Sequence, residues 1–160
     1  MTMFLNTTDQ TDVPAAATRH LQDAKSLVAA ARPDGAAYLA GYVVECALKT
    51  LIKAADPGFP GVISPHPWAH LDDGGAKSKP NRLHDQITFL MATAPPHLTK
   101  YLDPSLSLLS NPVASGWSIA MRYRGPTMSA TDATNWVNEA DRIYAATIVP
   151  LFLDHNLGTP

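Results

Sequence analysis

The sequence predicts an all-α protein, an antiparallel bundle of four to five helices, and three observations support this fold class. Apolar residues recur at helical spacing in several long segments, which prolines and glycines separate. No segment shows strand alternation bounded by hairpin turns. A length of 160 residues fits one domain. We therefore expect a flexible N-terminal arm over residues 1–12 and a single bundle over residues 13–155, interrupted by a long loop over residues 56–80.

The segment from Asp34 to Ala55 is predicted to be the central helix of this bundle. A surface helix shows one apolar face about 100° wide, whereas the apolar side chains here cover more than one stripe. These side chains are Tyr38, Leu39, Tyr42, Val43, Cys46, Leu48, Leu51 and Ile52. We expect neighbouring helices on at least two sides. Asp34 is predicted to cap the helix through its carboxylate. Glu45 and Lys49, four residues apart with the acid first, should form an ion pair.

The helices around this central segment are marked by their caps and breaks. The first should begin after Thr11 or Asp12, since Pro14 suits a first-turn position, and should end before Pro33. Its core face is predicted to contain Ala17, Leu21, Ala24, Val28 and Ala31. A third helix is predicted over residues 83–93, and a short one over residues 96–102.

Towards the C-terminus, a short helical segment is predicted from Ala114 to Tyr123, before Gly125 and Pro126. The last helix should begin at a cap formed either by Ser129 with Asp132 or by Thr131 alone. Its core face is predicted to contain Trp136, Val137, Ala140, Ile143, Tyr144 and Ile148. Pro150 should kink or end this helix.

Charge and composition narrow the function classes. The formal net charge of −2 supplies no broad basic field, so attraction to nucleic acid has to come from a local patch. Cys46 is the single cysteine, so no intramolecular disulfide is expected and nothing points to secretion. The first residues lack the features of a signal peptide, and no segment reaches about 18 apolar residues. We expect a cytoplasmic protein that does not enter a membrane.

Several segments follow one another in an order that is typical of a known family. A helix precedes the most specific segment, Tyr42 to Lys49, with the sequence YVVECALK; His84-Asp85 and then Trp117 with Arg122-Tyr123 follow. Over residues 15–150 this order resembles the HEPN family of small helical bundles. The resemblance implies the nucleotidyltransferase substrate-binding-subunit type of bundle. It also implies homodimerisation, a nucleotidyltransferase partner protein and a role in a toxin–antitoxin or defence-related system.

The chain departs from the family at the ribonuclease motif. Ribonuclease members carry an arginine, four to six intervening residues and then a histidine. None of the six arginines here has a histidine at that spacing downstream. Activating a ribose 2′-hydroxyl needs a group that titrates near neutral pH, and histidine is the usual one. We therefore assign no catalytic residue. The alternative is a toxin-like ribonuclease with a rearranged site, in which His84 is the base and Arg122 stabilises the phosphorane.

Arg122, Tyr123 and Arg124 are the leading ligand-binding candidates. Two guanidinium groups can hold a phosphate bidentately while the tyrosine ring stacks on a base. In the competing interpretation Arg122 caps carbonyls or pairs with Glu45, Tyr123 packs in the core, and Arg124 is solvated. These alternatives stay open in the sequence, because adjacent residues on a helix point in different directions.

Three further residues are candidates for the same cleft. Glu45 and Lys49 either face a ligand cleft or a symmetry mate, or form a structural pair, joined by Arg122, that fixes the helix register. His84 either contacts a ligand or bonds to a neighbouring helix, beside a helix start that Asp85 stabilises.

The long loop and the residues after it are expected to provide a contact surface or a basic patch rather than a metal site. Pro65, Pro67 and the following glycines argue against the helix that His66 and His70 would need to share a metal, even with Asp72 and Asp73 nearby. No metal or cofactor is predicted. Trp68 either marks a contact surface or folds back onto the bundle. A second basic run either meets phosphate or is a solvated loop end; it consists of Lys77, Lys79 and Arg82.

Taken with the family resemblance, these residues favour a non-catalytic binding or partner module. Its ligand would be a nucleotide or RNA in a cleft near Arg122. The two alternatives are the rearranged ribonuclease and a purely structural partner of a nucleotidyltransferase.

Overall fold

The computed structural model describes residues 13–55, 92, 96–101 and 116–154, and every regular element in this part of the chain is helical. Three long helices, α1 (Val13–Ala29), α2 (Pro33–Ala55) and α3 (Ala130–Leu153), accompany a single helical turn, Pro96–Thr99, and a 3₁₀ helix, Ile119–Tyr123. The all-α prediction is confirmed for these residues. The predicted arm over 1–12, loop over 56–80 and third helix over 83–93 lie outside them, except Ala92, which is helical.

α2 is the central helix, as predicted. It runs without interruption and packs against both α1 and α3. Every side chain from Val43 to Leu51 is buried, and Leu48 is only 1% exposed. Such enclosure follows from the apolar groups around the helix, because each stripe needs its own neighbour to exclude water. Although α2 is strongly apolar, no helix in the described ranges is long and apolar enough to cross a lipid bilayer.

α1 presents a narrow face of small residues to α2. It begins at Val13, as predicted, and Ala17 and Ala24 are fully buried. Two polar contacts join α1 to α3: the hydroxyl groups of Thr18 and Tyr144 lie 2.8 Å apart, and Lys25 forms an exposed ion pair with Asp141. Exposed pairs of this kind contribute only about 0–1 kcal/mol. The apolar face therefore dominates the packing of α1.

The turn between α1 and α2 corrects one sequence prediction. Ala31 does not belong to the core face of α1; it lies in the turn with a φ of 53°. The N–H groups of Ala31 and Arg32 donate to the carbonyls of Val28 and Leu27, at 3.0 and 2.9 Å. This pair of hydrogen bonds forms a Schellman motif, whose left-handed position usually holds glycine. The apolar spacing did not reveal the turn because alanine also suits a helix.

The predicted cap at Asp34 is wrong. α2 begins one residue earlier, at Pro33, where proline costs nothing because the first helical N–H needs no intrahelical partner. The Asp34 carboxylate instead accepts hydrogen bonds from the backbone N–H groups of Thr127 and Met128, at 2.9 and 3.1 Å. These partners lie more than 90 residues along the chain. A capping rule that considers only neighbouring residues cannot predict such distant donors.

α3 begins at the predicted cap and continues past the predicted break. Ser129 Oγ accepts a hydrogen bond from the Asp132 N–H at 3.0 Å, and its hydroxyl donates to the Asp132 carboxylate. The helix extends to Leu153, so of the two predicted effects of Pro150, a kink or an end, the end is wrong. Pro150 lies in the last turn, where it removes one hydrogen bond, to the Ala146 carbonyl. Most of the predicted core face is buried: Val137, Ala140, Ile143 and Ile148.

Candidate functional site

Arg122, Tyr123 and Arg124, which we call the cationic triplet, lie exposed where the 3₁₀ helix ends. Tyr123 is 78% exposed, and the guanidinium carbon of Arg122 lies 4.7 Å from the centre of its ring. Among the described residues neither arginine forms an ion pair. The alternatives in which Tyr123 packs in the core and Arg122 pairs with Glu45 are therefore wrong. The triplet presents two guanidinium groups and an aromatic ring to solvent.

The chain on either side of the triplet is anchored to the bundle. Met121 and Met128 pack against the core. Ser118 caps the 3₁₀ helix, since its hydroxyl oxygen accepts the Ala120 N–H at 3.1 Å. Asp34 holds the other end through its bonds to Thr127 and Met128. A ligand that binds the triplet therefore meets a segment whose ends are already fixed, which lowers the entropic cost of ordering it.

The Asp34 anchor should make stability depend on pH. The hydrogen bonds from Thr127 and Met128 lower the pKa of the Asp34 carboxyl. A lowered folded-state pKa stabilises the protein above the unfolded-state value of about 3.9, and the contribution disappears as the pH falls through the folded-state pKa. We expect Asp34→Asn to lower the urea midpoint at pH 7, and the difference from wild type to shrink below about pH 4.

The control for this prediction is Asp23→Asn, which removes an exposed carboxylate from α1. It should change the midpoint much less at pH 7. A pH-independent difference between wild type and Asp34→Asn would show that the carboxylate charge does not hold the segment.

Four rings form an aromatic cluster beside the 3₁₀ helix: His20, Tyr38, Tyr42 and Trp117. Tyr42 is its centre, with ring-centre distances of 5.5 Å to His20 and 5.1 Å to both Tyr38 and Trp117. The indole N–H of Trp117 donates to the Tyr38 carbonyl at 2.9 Å. Gly41 makes room for this ring, because a Cβ there would lie 2.0 Å from Trp117 Cδ1. The cluster thus joins α1, α2 and the residues before the 3₁₀ helix.

The electrostatics connect the aromatic cluster with the cationic triplet. Burial raises the pKa of Tyr42, as do its hydrogen bond to Tyr38 and the negative charge of Glu45, whereas Arg122 acts in the opposite direction. Arg122 and Tyr42 therefore lie within electrostatic range of each other. Burial also lowers the pKa of His20, with a further contribution from Arg19. His20 is consequently neutral at pH 7.

Glu45 and Lys49 form the predicted ion pair inside the bundle. Lys49 Nζ lies 2.8 Å from Glu45 Oε1, and the two residues are 8% and 3% exposed. Burial of this degree suits a structural pair, and removing one partner of such a pair typically costs about 3–5 kcal/mol. The neighbouring Cys46 is also buried, which raises its pKa to about 12. Its side chain is therefore a thiol at neutral pH and not a nucleophilic thiolate.

The structure brings together only part of the predicted site. Arg122, Tyr123 and Arg124 share one exposed surface, whereas Glu45 and Lys49 lie in the core. The remaining candidates lie outside the described residues; they are His84, Asp85, Trp68, His66, His70, Asp72, Asp73, Lys77, Lys79 and Arg82. Within the described ranges no three His, Cys, Asp or Glu residues could hold a metal ion together.

Sequence reasoning missed His20 and the pairing of the Tyr38 and Tyr42 hydroxyl groups. His20 lies three residues after Ala17 and four before Ala24, so its spacing placed it beside the core face of α1. The tyrosine pair carried the same signal, four residues apart on α2. Both tyrosines were interpreted as core residues, whereas they are only partly buried.

Comparisons with protein-family models, curated proteins and solved structures find no match for this chain. The resemblance to the HEPN family therefore depends on the order of the motifs quoted above.

Proposed function

We propose that this protein is a non-catalytic, HEPN-like bundle of four to five helices that binds a nucleotide or RNA at the cationic triplet. The observation that carries the proposal is the exposed stack of Arg122 on Tyr123, with Arg124 next to it. The net charge of −2 gives little long-range attraction for a phosphate. Recognition therefore has to come from local contacts of the kind that this triplet offers.

The triplet suits a nucleotide because it offers different chemistry to the two halves of that ligand. A guanidinium group presents a planar fork of N–H donors that matches two phosphate oxygens. An exposed tyrosine ring accepts a base by stacking, which contributes about 1–3 kcal/mol per base in single-strand complexes. Arg122 covers one face of the ring. A base on the opposite face would be stacked on a ring whose position the arginine already restricts.

The proposal that the module is non-catalytic is supported by the absence of the family's Arg-to-His spacing from the sequence. A ribonuclease that uses His84 as base remains the alternative. Incubating the purified protein with single-stranded and hairpin RNA separates the two. Cleavage that disappears in His84→Ala would overturn the non-catalytic proposal, and intact RNA would support it.

The partner expected from the resemblance is a second copy of this chain, with a nucleotidyltransferase as a further partner in a toxin–antitoxin or defence-related system. Val149 and Leu153 are exposed apolar residues four apart on α3, where a second copy could pack, but the partner itself is proposed from the resemblance. Light scattering after size-exclusion chromatography decides whether the chain is a dimer, and a monomeric mass would contradict that part of the proposal.

Arg122→Ala should weaken nucleotide binding about tenfold or more, because a charged hydrogen bond to phosphate is lost. The measurement is isothermal titration with AMP and with a short single-stranded RNA. Arg142→Ala, which removes an exposed arginine from α3, is the matched control. Lys77→Ala tests the second basic run. Equal losses in all three variants would show that general charge, and not the triplet, attracts the ligand.

A further inference from the structure

We infer that the phosphate of the bound nucleotide lies between Arg122 and the paired hydroxyl groups of Tyr38 and Tyr42. This inference rests on the proposed function and adds a second set of ligand-binding groups to it. The tyrosines lie on α2, which packs against the 3₁₀ helix that ends in the triplet. The ligand class is a phosphate ester, held by one cationic group and one neutral donor.

The hydroxyl pair has a donor to spare. The two tyrosine oxygens lie 3.0 Å apart, so one hydroxyl donates to the other. The accepting hydroxyl keeps its own proton, and neither oxygen has a further hydrogen-bond partner among the described residues. Both rings are only partly buried. The pair therefore offers one O–H group to an acceptor from outside, and a phosphate oxygen is a strong acceptor.

The Tyr42 hydroxyl, one of the two hydroxyl groups that can donate to the ligand, is held in place and stays protonated. His20, Tyr38 and Trp117 all pack against the Tyr42 ring, which restricts its rotation. Burial raises the pKa of Tyr42 above the ordinary value for tyrosine. The Tyr42 hydroxyl group therefore keeps its proton at every physiological pH, whether it donates to Tyr38 or to a ligand. A fixed donor avoids the ordering cost that a flexible surface side chain incurs on binding.

Charges of both signs surround the hydroxyl pair. Arg122 acts on Tyr42 with a positive charge, and Arg19 acts on the neighbouring His20. The opposing acids are Asp23 on α1, which acts on His20, and Glu45 on α2, which acts on Tyr42 and forms an ion pair with Lys49. Arg122 is the cation that acts on Tyr42 itself, and α2 packs against the 3₁₀ helix that carries it, so we place the phosphate between Arg122 and the pair.

The test compares AMP with adenosine in the double variant Tyr38→Phe/Tyr42→Phe, which keeps both rings and removes both hydroxyl groups. AMP should bind about tenfold or more weakly than to wild type, because the donor to the phosphate is lost. Adenosine, which has no phosphate, should keep its affinity within about twofold. Each single variant leaves one hydroxyl with its proton available, so each should bind AMP more tightly than the double variant does.

Tyr144→Phe is the matched control, since it removes a partly buried hydroxyl that contacts Thr18 instead. A loss of AMP affinity equal to that of the double variant would overturn the inference. AMP affinity that is unchanged in the double variant but lost in Arg122→Ala would also overturn it, while the proposed function would stand. A wild-type protein that binds neither AMP nor RNA would overturn both.

A measurement on the wild-type protein covers the case in which the double variant does not fold. With ¹³C-labelled tyrosine, the Cζ resonances of Tyr38 and Tyr42 should shift when AMP is added and stay in place with adenosine. Resonances that ignore AMP at saturation would overturn the inference.

Discussion

Gly41→Ala is expected to lower the free energy of unfolding by roughly 2 to 4 kcal/mol. The new Cβ would lie 2.0 Å from Trp117 Cδ1 and 2.1 Å from Nε1, closer than atoms can approach. Trp117 is 2% exposed and donates a hydrogen bond to the Tyr38 carbonyl. Its ring would have to move, and losing a buried tryptophan costs about 3–5 kcal/mol. Alanine favours a helix over glycine by only about 1 kcal/mol, so destabilisation dominates.

Urea unfolding of two further variants tests whether the clash with Trp117 causes the destabilisation. Gly125→Ala is the control, because a Cβ there has nothing within 4 Å, and its stability should change by no more than about 0.5 kcal/mol. In a Trp117→Ala background, Gly41→Ala should become stabilising by about 1 kcal/mol, since only the helix propensity remains. A destabilisation that persists without the indole ring would show that the clash with Trp117 is not the reason.

Leu48→Ala is expected to cost roughly 2 to 5 kcal/mol, from lost transfer free energy and from the cavity left behind. Leu48 is 1% exposed and lies on α2, the helix that packs against both α1 and α3. The helices on both sides are held by their own core faces, so neither can simply collapse into the space. The measurement is the free energy of unfolding in urea, extrapolated to water.

Leu153→Ala is the matched control for Leu48→Ala. It makes the same chemical change on α3, but Leu153 is 73% exposed, so the effect should stay within about 0.5 kcal/mol. If both leucine variants lost the same small amount of unfolding free energy, α2 would not be enclosed by its neighbours. The placement of the aromatic cluster on α2 would then lose its support.

The candidate site shows where a sequence pattern stops being informative. The compact run Arg122-Tyr123-Arg124 indicated the cationic triplet, but the sequence was compatible both with exposed, ligand-binding side chains and with Tyr123 buried in the core. Exposure of Tyr123 depends on the 3₁₀ helix ending there and on Met121 and Met128 packing on either side. The tyrosine hydroxyl pair was hidden for a different reason. Its geometry depends on ring packing across two helices and the segment before the 3₁₀ helix, which no spacing rule describes.

The sequence by itself determined the helical class of the described residues, the central position of α2, the ion pair between Glu45 and Lys49 and the cap at Ser129. All of these depend on residues within a few positions of one another, where helical spacing fixes which side chains meet. Only the tertiary structure decided the partners of Asp34 and the surroundings of Trp117. Those contacts join residues far apart in the chain, so they exist only after the helices have packed.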